Sequence, residues 1–109
     1  MKLIFAVVQD KDAGRLIDQL VQRNYSATKL ASTGGFLREG NTTLLIGVED
    51  EDVEEVLNII RDTCHSRKQV APPVSPVSGP GDAYVSYPLE VVVGGATVFV
   101  LTVEGYIKI

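Results

Sequence analysis

Cysteine and histidine are almost missing from this chain: its 109 residues include one of each, Cys64 and His65. A lone cysteine excludes an internal disulfide and a thiolate zinc site, and a lone histidine cannot build a histidine-rich metal centre. As sequence neighbours on a helix the two side chains diverge by about 100°, so they cannot meet as a Cys–His dyad. They read instead as a packed thiol and a helix-end histidine. No cluster of basic residues stands out either. Ten Lys and Arg face fourteen Asp and Glu, a formal net charge of −4, so the backbone of a nucleic acid polymer is not an expected partner and any anionic ligand must be met locally. Long apolar runs are absent too. The run from Leu3 to Val8 is closed by Gln9-Asp10 and followed by no small-residue cleavage site, far short of a membrane span or a secretory core, so the expected location is cytoplasmic. The acidic group at 49–52 lacks the alternating oxygen ligands and central glycine of a calcium loop.

The 45% hydrophobic content suits one globular unit with its own core, and residues 1–109 are read as a single domain. Leu3, Phe5 and Val7 alternate with Ile4, Ala6 and Val8, the pattern of a central strand buried on both faces. Asp10 and Asp12 suit a helix start, and Leu16, Ile17, Leu20 and Val21 then recur at helical spacing as far as Asn24. Strands are expected over 27–33 and 42–48. A second helix starts in the acidic group 49–52 and carries Val53, Val56, Leu57, Ile60 and Cys64 at i, i+3, i+4, i+7 and i+11. From Val70 to about residue 83 no period survives among Pro72, Pro73, Pro76, Pro80 and their Ser and Gly neighbours, which makes a long loop. Two β-rich runs follow, over 87–93 and 96–103, and Gly94-Gly95 between them suits a two-residue hairpin turn at positive φ.

This order is βαββαβ with an added strand or hairpin: a ferredoxin-like α+β fold, an antiparallel sheet with both helices on one face. Two helices cover only one face, yet the first and last strands are apolar on both. The bare face is therefore expected to be buried by other copies of the chain.

Chemistry concentrates in the glycine loop 34–41, Gly34-Gly35-Phe36-Leu37-Arg38-Glu39-Gly40-Asn41. Gly40 is followed by Asn41-Thr42 rather than Lys-Ser/Thr, and no helix follows, so this is not a Walker A loop. By local pattern a strand connection and a binding loop are equally well supported; Phe36 and Leu37 shift the balance. An exposed phenylalanine can stack on a nucleobase for about 1–3 kcal/mol, or it can bury against a neighbouring subunit. Asn24, Thr28 and Asn41 can read a base edge, and Lys29 or Arg38 can offset phosphate charge. The proline-rich segment reads equally as a partner-recognition loop or a slack connection. No nucleophile with a base, carboxylate pair or metal cluster emerges, so an enzyme is not expected.

The segment Ala27-Thr28-Lys29-Leu30-Ala31-Ser32-Thr33-Gly34-Gly35-Phe36-Leu37-Arg38-Glu39-Gly40-Asn41-Thr42-Thr43 resembles the signature of the PII-like cyclic-di-AMP receptors. Further matches are the opening Met1-Lys2-Leu3-Ile4 with Val8-Gln9-Asp10, the stretch from Tyr84 to Pro88, and Glu90 with the run from Val93 to Leu101. The resemblance implies a bacterial, non-enzymatic signal-transduction protein: a homotrimer of ferredoxin-like protomers that binds the second messenger cyclic-di-AMP between adjacent subunits. It implies no cofactor, and loops that respond to ligand and so regulate a downstream partner protein. It places the pocket on Asn24, Ala27 and Thr28, on Gly35, Phe36 and Leu37 of the glycine loop, on Asn41 and Gly47, and on Phe99 of the last strand. Phe36, Leu37 and Phe99 would contact adenine, while backbone amides with Thr28 and Asn41 would meet phosphate and base edges. Two departures from the pattern bear on affinity: Ser26 stands where some relatives carry a basic residue, and the tail Gly105-Tyr106-Ile107-Lys108-Ile109 differs from their aromatic, His-containing ends. The alternative reading is a PII-like trimeric sensor of another nucleotide, ATP or ADP, or of another small ligand. A dinucleotide hydrolase and a purely structural trimer are the other rivals.

Overall fold

The computed structural model describes residues 1–30, 40–71 and 89–109. In chain order it has strand β1 (Lys2–Gln9), helix α1 (Asp10–Gln22), strands β2 (Ala27–Leu30) and β3 (Asn41–Val48), a 3-10 turn (Asp50–Asp52), helix α2 (Val53–Cys64), and strands β4 (Arg67–Ala71), β5 (Leu89–Val93) and β6 (Ala96–Thr102). Four strands form one antiparallel sheet in the order β2-β3-β1-β6. With both helices packed on one face of it, the arrangement is the expected ferredoxin-like α+β.

Both alternating sets of β1 are apolar, and the helices cover one of them. Ile4, Ala6 and Val8 are buried with Leu44, Ile46 and Val48 of β3. Against them α1 sets Ala13, Leu16 and Leu20, and α2 sets Val56, Ile59, Ile60 and Cys64. Burying each such Leu, Ile or Val contributes about 1.5–3 kcal/mol, which makes this single layer the main source of cohesion.

Helix α1 stops for an identifiable reason. Asn24 has φ 68°, and its N–H donates to the Val21 carbonyl at 2.9 Å while the Tyr25 N–H donates to the Leu20 carbonyl at 2.9 Å. That pair of bonds is a Schellman cap with Asn in the left-handed position, and Tyr25, one residue beyond, packs on the core. At the other helix, the N-terminal amine forms an ion pair of 2.9 Å with Asp50, which holds the Asp50 carboxyl below its ordinary range.

Two expectations are corrected. Residues 67–71 form β4, although no strand was expected at 67–69 and the loop was expected to begin at Val70. Nor do β5 and β6 form a hairpin. β5 pairs with β4, Arg67 opposite Val93 and Ala71 opposite Leu89, whereas β6 pairs with β1, Ala96 opposite Val8 and Thr102 opposite Lys2. Gly94 and Gly95 do take positive φ, 86° and 92°, but as a corner between two sheets. A Cβ on Gly94 would collide with the His65 carbonyl and the Arg67 guanidinium, so only glycine fits there. The extra hairpin is thus β4–β5, a two-stranded ribbon whose far ends lead into residues 72–88.

Candidate functional site

Cross-strand partners share a face of the sheet, so the register assigns the predicted site residues to sides. One row of the uncovered face runs Thr28, Leu45, Phe5, Phe99 from edge to edge; the next carries Gly47, Leu3 and Leu101. Thr28, Gly47 and Phe99 therefore lie on the face the helices leave bare. Leu3, Phe5 and Leu45 in its middle are partly buried. On the edge strand β6, Phe99 is 57% exposed and Leu101 44% exposed.

Ala27 pairs with Ile46 on the opposite, helix-covered side and packs against the core, so only its backbone is available to a ligand at the bare face. Asn24 sits on the surface at the left-handed end of α1, where helix termination alone accounts for an asparagine. Asn41 opens β3 opposite Gln9. Gly35, Phe36 and Leu37 lie outside the described residues, as does Arg38.

The predicted residues are thus spread rather than gathered. Thr28 and Phe99 occupy opposite edges of the sheet, three strand spacings or about 14 Å apart. A single base cannot touch both within one protomer. Gly47 adds an independent signal, because a Cβ there would meet no atom within 4 Å. The protomer's own packing does not require that glycine, which leaves room in front of β3 for something else.

Asn41 also lines a hollow of about 300 Å³ with Val7, Val8, Gln9, Gly94, Gly95, Ala96 and Thr97. Here Gln9 Oε1 accepts the Gly94 N–H at 2.8 Å. Asp10, at the start of α1, accepts the Thr42 hydroxyl and donates its N–H to the Gly40 carbonyl at 3.0 Å. The base of the glycine loop is therefore stitched to the end of β1.

A second hollow, of about 380 Å³, lies between α2 and β6 and is lined by Leu57, Ile60, Arg61, Cys64, His65, Ser66, Gly95, Ala96 and Val98. None of the predicted binding residues among the described residues lines it. Burial, and after it the negative charge of Asp12, push the Cys64 thiol up to about 11, the reverse of what a nucleophile needs. His65 is exposed and its Nδ1 lies 3.3 Å from the Asp62 carbonyl, so the neighbours face apart as the helical geometry predicts. Among the described residues no group of three or more His, Cys, Asp or Glu side chains could hold a metal ion.

The sequence reading missed Asp12 and Arg67. Asp12 is buried and accepts from Arg67 on both oxygens, at 2.9 and 3.5 Å, while Arg15 approaches at 3.4 Å. Fifty-five residues separate the pair, and nothing local in either segment signals it. The only hint was an aspartate on the apolar side of an amphipathic helix.

Two comparisons bear on this arrangement. A family model described as "Cyclic-di-AMP receptor" matches residues 1–109. The crystal structure of a functionally unknown protein from Pediococcus pentosaceus ATCC 25745 superposes with a TM-score of 0.79 at 47% sequence identity, covering 99% of this chain and 96% of that one. The match over the whole length agrees with the resemblance carried by the glycine-loop segment and by the strands at both ends. The chain belongs to the cyclic-di-AMP receptor family.

Proposed function

We propose that the protein is a non-catalytic receptor that binds cyclic-di-AMP in crevices between adjacent protomers of a homotrimer and passes that state to a partner protein through its loops. Family membership supports the ligand. The observation that carries the shared site is the position of Thr28 and Phe99 on opposite edges of one bare sheet face. If one base of the ligand touches both residues, they come from different protomers, β2 of one meeting β6 of the next. An edge strand with exposed Phe99 and Leu101 is a liability in a free monomer and an asset in an assembly.

Within such a crevice Phe99 supplies an apolar platform for adenine, Thr28 and Asn41 supply hydrogen bonds, and Gly47 leaves the space. Phe36 and Leu37 complete the pocket from the glycine loop. The reading needs no cofactor and no bond-making step. No described helix is long and apolar enough to cross a membrane, which is compatible with action in the cytoplasm.

The decisive experiment combines sedimentation with calorimetry. A trimer that binds cyclic-di-AMP more tightly than ATP or ADP, and returns it unchanged after prolonged incubation, is the expected result. A monomer, a preference for ATP, or recovery of linear product would each overturn the proposal.

A further inference from the structure

The β4–β5 ribbon pairs with no strand of the main sheet, and a two-stranded ribbon alone is marginal in water. Its direction therefore depends on what holds its base. Among the described residues, three contacts reach it from β1, α1 and the end of α2, beside the bond that Arg67 Nη1 donates to the His65 carbonyl at 3.1 Å. Gln9 Oε1 accepts the Gly94 N–H at 2.8 Å. Asp12, 1% exposed, takes the Arg67 guanidinium at 2.9 and 3.5 Å. The Gly95 N–H donates to the Cys64 carbonyl at the end of α2.

Two of those three acceptors lie in one short stretch, Gln9 to Asp12, and Asp10 within that stretch faces the other loop. Asp10 donates its N–H to the Gly40 carbonyl and accepts the Thr42 hydroxyl. The first turn of α1 with its preceding residue thus touches the base of the glycine loop through Asp10 and the base of the ribbon through Gln9 and Asp12. Nothing in the packing of the helix layer requires this, since the apolar contacts of α1 come from Ala13, Leu16 and Leu20.

We infer that this turn couples the two loop bases, with Gln9 and Asp12 as positioning residues that set the ribbon according to what Gly40 and Thr42 experience. The inference rests on the proposed ligand site for its biological meaning. It supplies the route by which an event at the glycine loop reaches the ribbon. The contacts are directional hydrogen bonds and one forked ion pair to a buried carboxylate, so a small rotation of the turn moves the ribbon base rather than being absorbed by soft packing.

The test is a double-mutant cycle read by residue-resolved amide exchange in the ribbon, over 67–71 and 89–93, with circular dichroism verifying the fold of each variant. Thr42→Val keeps the side-chain volume but removes the hydroxyl bonded to Asp10. It should speed ribbon exchange about fivefold, the effect of one lost hydrogen bond. In a Gln9→Leu, Arg67→Leu background, where the ribbon is already uncoupled, the same change should have less than about a twofold effect. Indifference of the ribbon to Thr42→Val, or effects that simply multiply, would overturn the coupling. Adding cyclic-di-AMP to the wild-type protein separates the two ideas. If it binds and ribbon exchange stays unchanged, the coupling fails while the site reading stands; if it does not bind, the site reading fails and the ligand-free cycle still decides the coupling.

Discussion

Phe99→Ala removes a ring that is 57% exposed in the single protomer and so probes the proposed site with limited damage to the core. A phenylalanine carries roughly 150–250 Å² of surface, so the exposed share is about 85–140 Å². At about 25 cal/mol per Å², complete coverage of that share by ligand and neighbouring chain is worth roughly 2–3.5 kcal/mol. Partial coverage brings this to the roughly 1–3 kcal/mol expected for base stacking. The dissociation constant for cyclic-di-AMP should therefore rise about tenfold to a hundredfold. The cost to the protomer's fold should stay below the roughly 3–5 kcal/mol typical of a fully buried phenylalanine. Calorimetry supplies the affinity, thermal melting the stability, and sedimentation shows whether the assembly survives. A folded, assembled Phe99→Ala protein whose affinity stays within twofold of wild type would refute the placement of this ring at the ligand.

Three further outcomes follow from particular residues. Asn24→Gly should melt within about 0.5 kcal/mol of wild type, while Asn24→Ala loses about 1 kcal/mol because alanine resists the left-handed conformation. If the carboxamide also reads the ligand, the glycine variant binds about tenfold more weakly; unchanged affinity would leave helix termination as the whole role of Asn24. Gly47→Ala should preserve the circular dichroism spectrum, since the new methyl meets nothing in the protomer, yet weaken cyclic-di-AMP binding about tenfold or more by filling the proposed crevice, a loss equivalent to roughly 1.4 kcal/mol; full affinity would place the ligand elsewhere. Cys64, with its thiol pushed up from 9.0 to about 11, is about 0.1% thiolate at pH 8, so Ellman's reagent should react at least ~100-fold more slowly than with the denatured chain. The sign for stability is equally definite. The folded state favours the neutral thiol, so that contribution is present below pH 9 and is lost as pH rises from 9 toward 11; a rapidly reacting thiol at pH 8 would contradict it.

Most of the main sheet and both helices were legible because each depends on a local period that burial then enforces. The strand's alternation left open which of its two apolar sets faces the helices, and Ile4, Ala6 and Val8 do; Leu16, Leu20, Val56 and Ile60 meet them as their helical spacing predicts. What escaped depends on partners. Arg67-Lys68-Gln69 has no apolar alternation and becomes a strand only because β5 lies alongside. Gly94-Gly95 announces positive φ correctly, but a dipeptide specifies a backbone conformation and not which strands meet beyond it. The buried Asp12 pairs with partly exposed Arg67 across 55 residues, and neither segment alone carries that information. The candidate site was legible mainly through the family signature, since its residues come from three strands, a helix end and a loop.

The same period that revealed the fold also marks the bare face on which the site is proposed. A strand with one buried face needs polar residues on the other, yet β1 and β6 are apolar on both, and the surplus collects where Thr28, Leu45, Phe5 and Phe99 cross the bare face. With Thr28 and Phe99 at opposite edges, about 14 Å apart, the proposed site in a closed trimer takes one from each of two neighbours. Mixed trimers can test that division. Thr28→Val and Phe99→Ala proteins each carry a defect in every site when pure. When protomers of the two kinds are mixed and reassembled, about one site in three of each mixed trimer joins an intact Thr28 edge to an intact Phe99 edge, by the symmetry of a closed ring. A fraction of binding at wild-type affinity should then reappear in calorimetry of the mixture. If both residues served the same protomer's site, no mixing ratio would restore it, and the shared crevice would have to be abandoned.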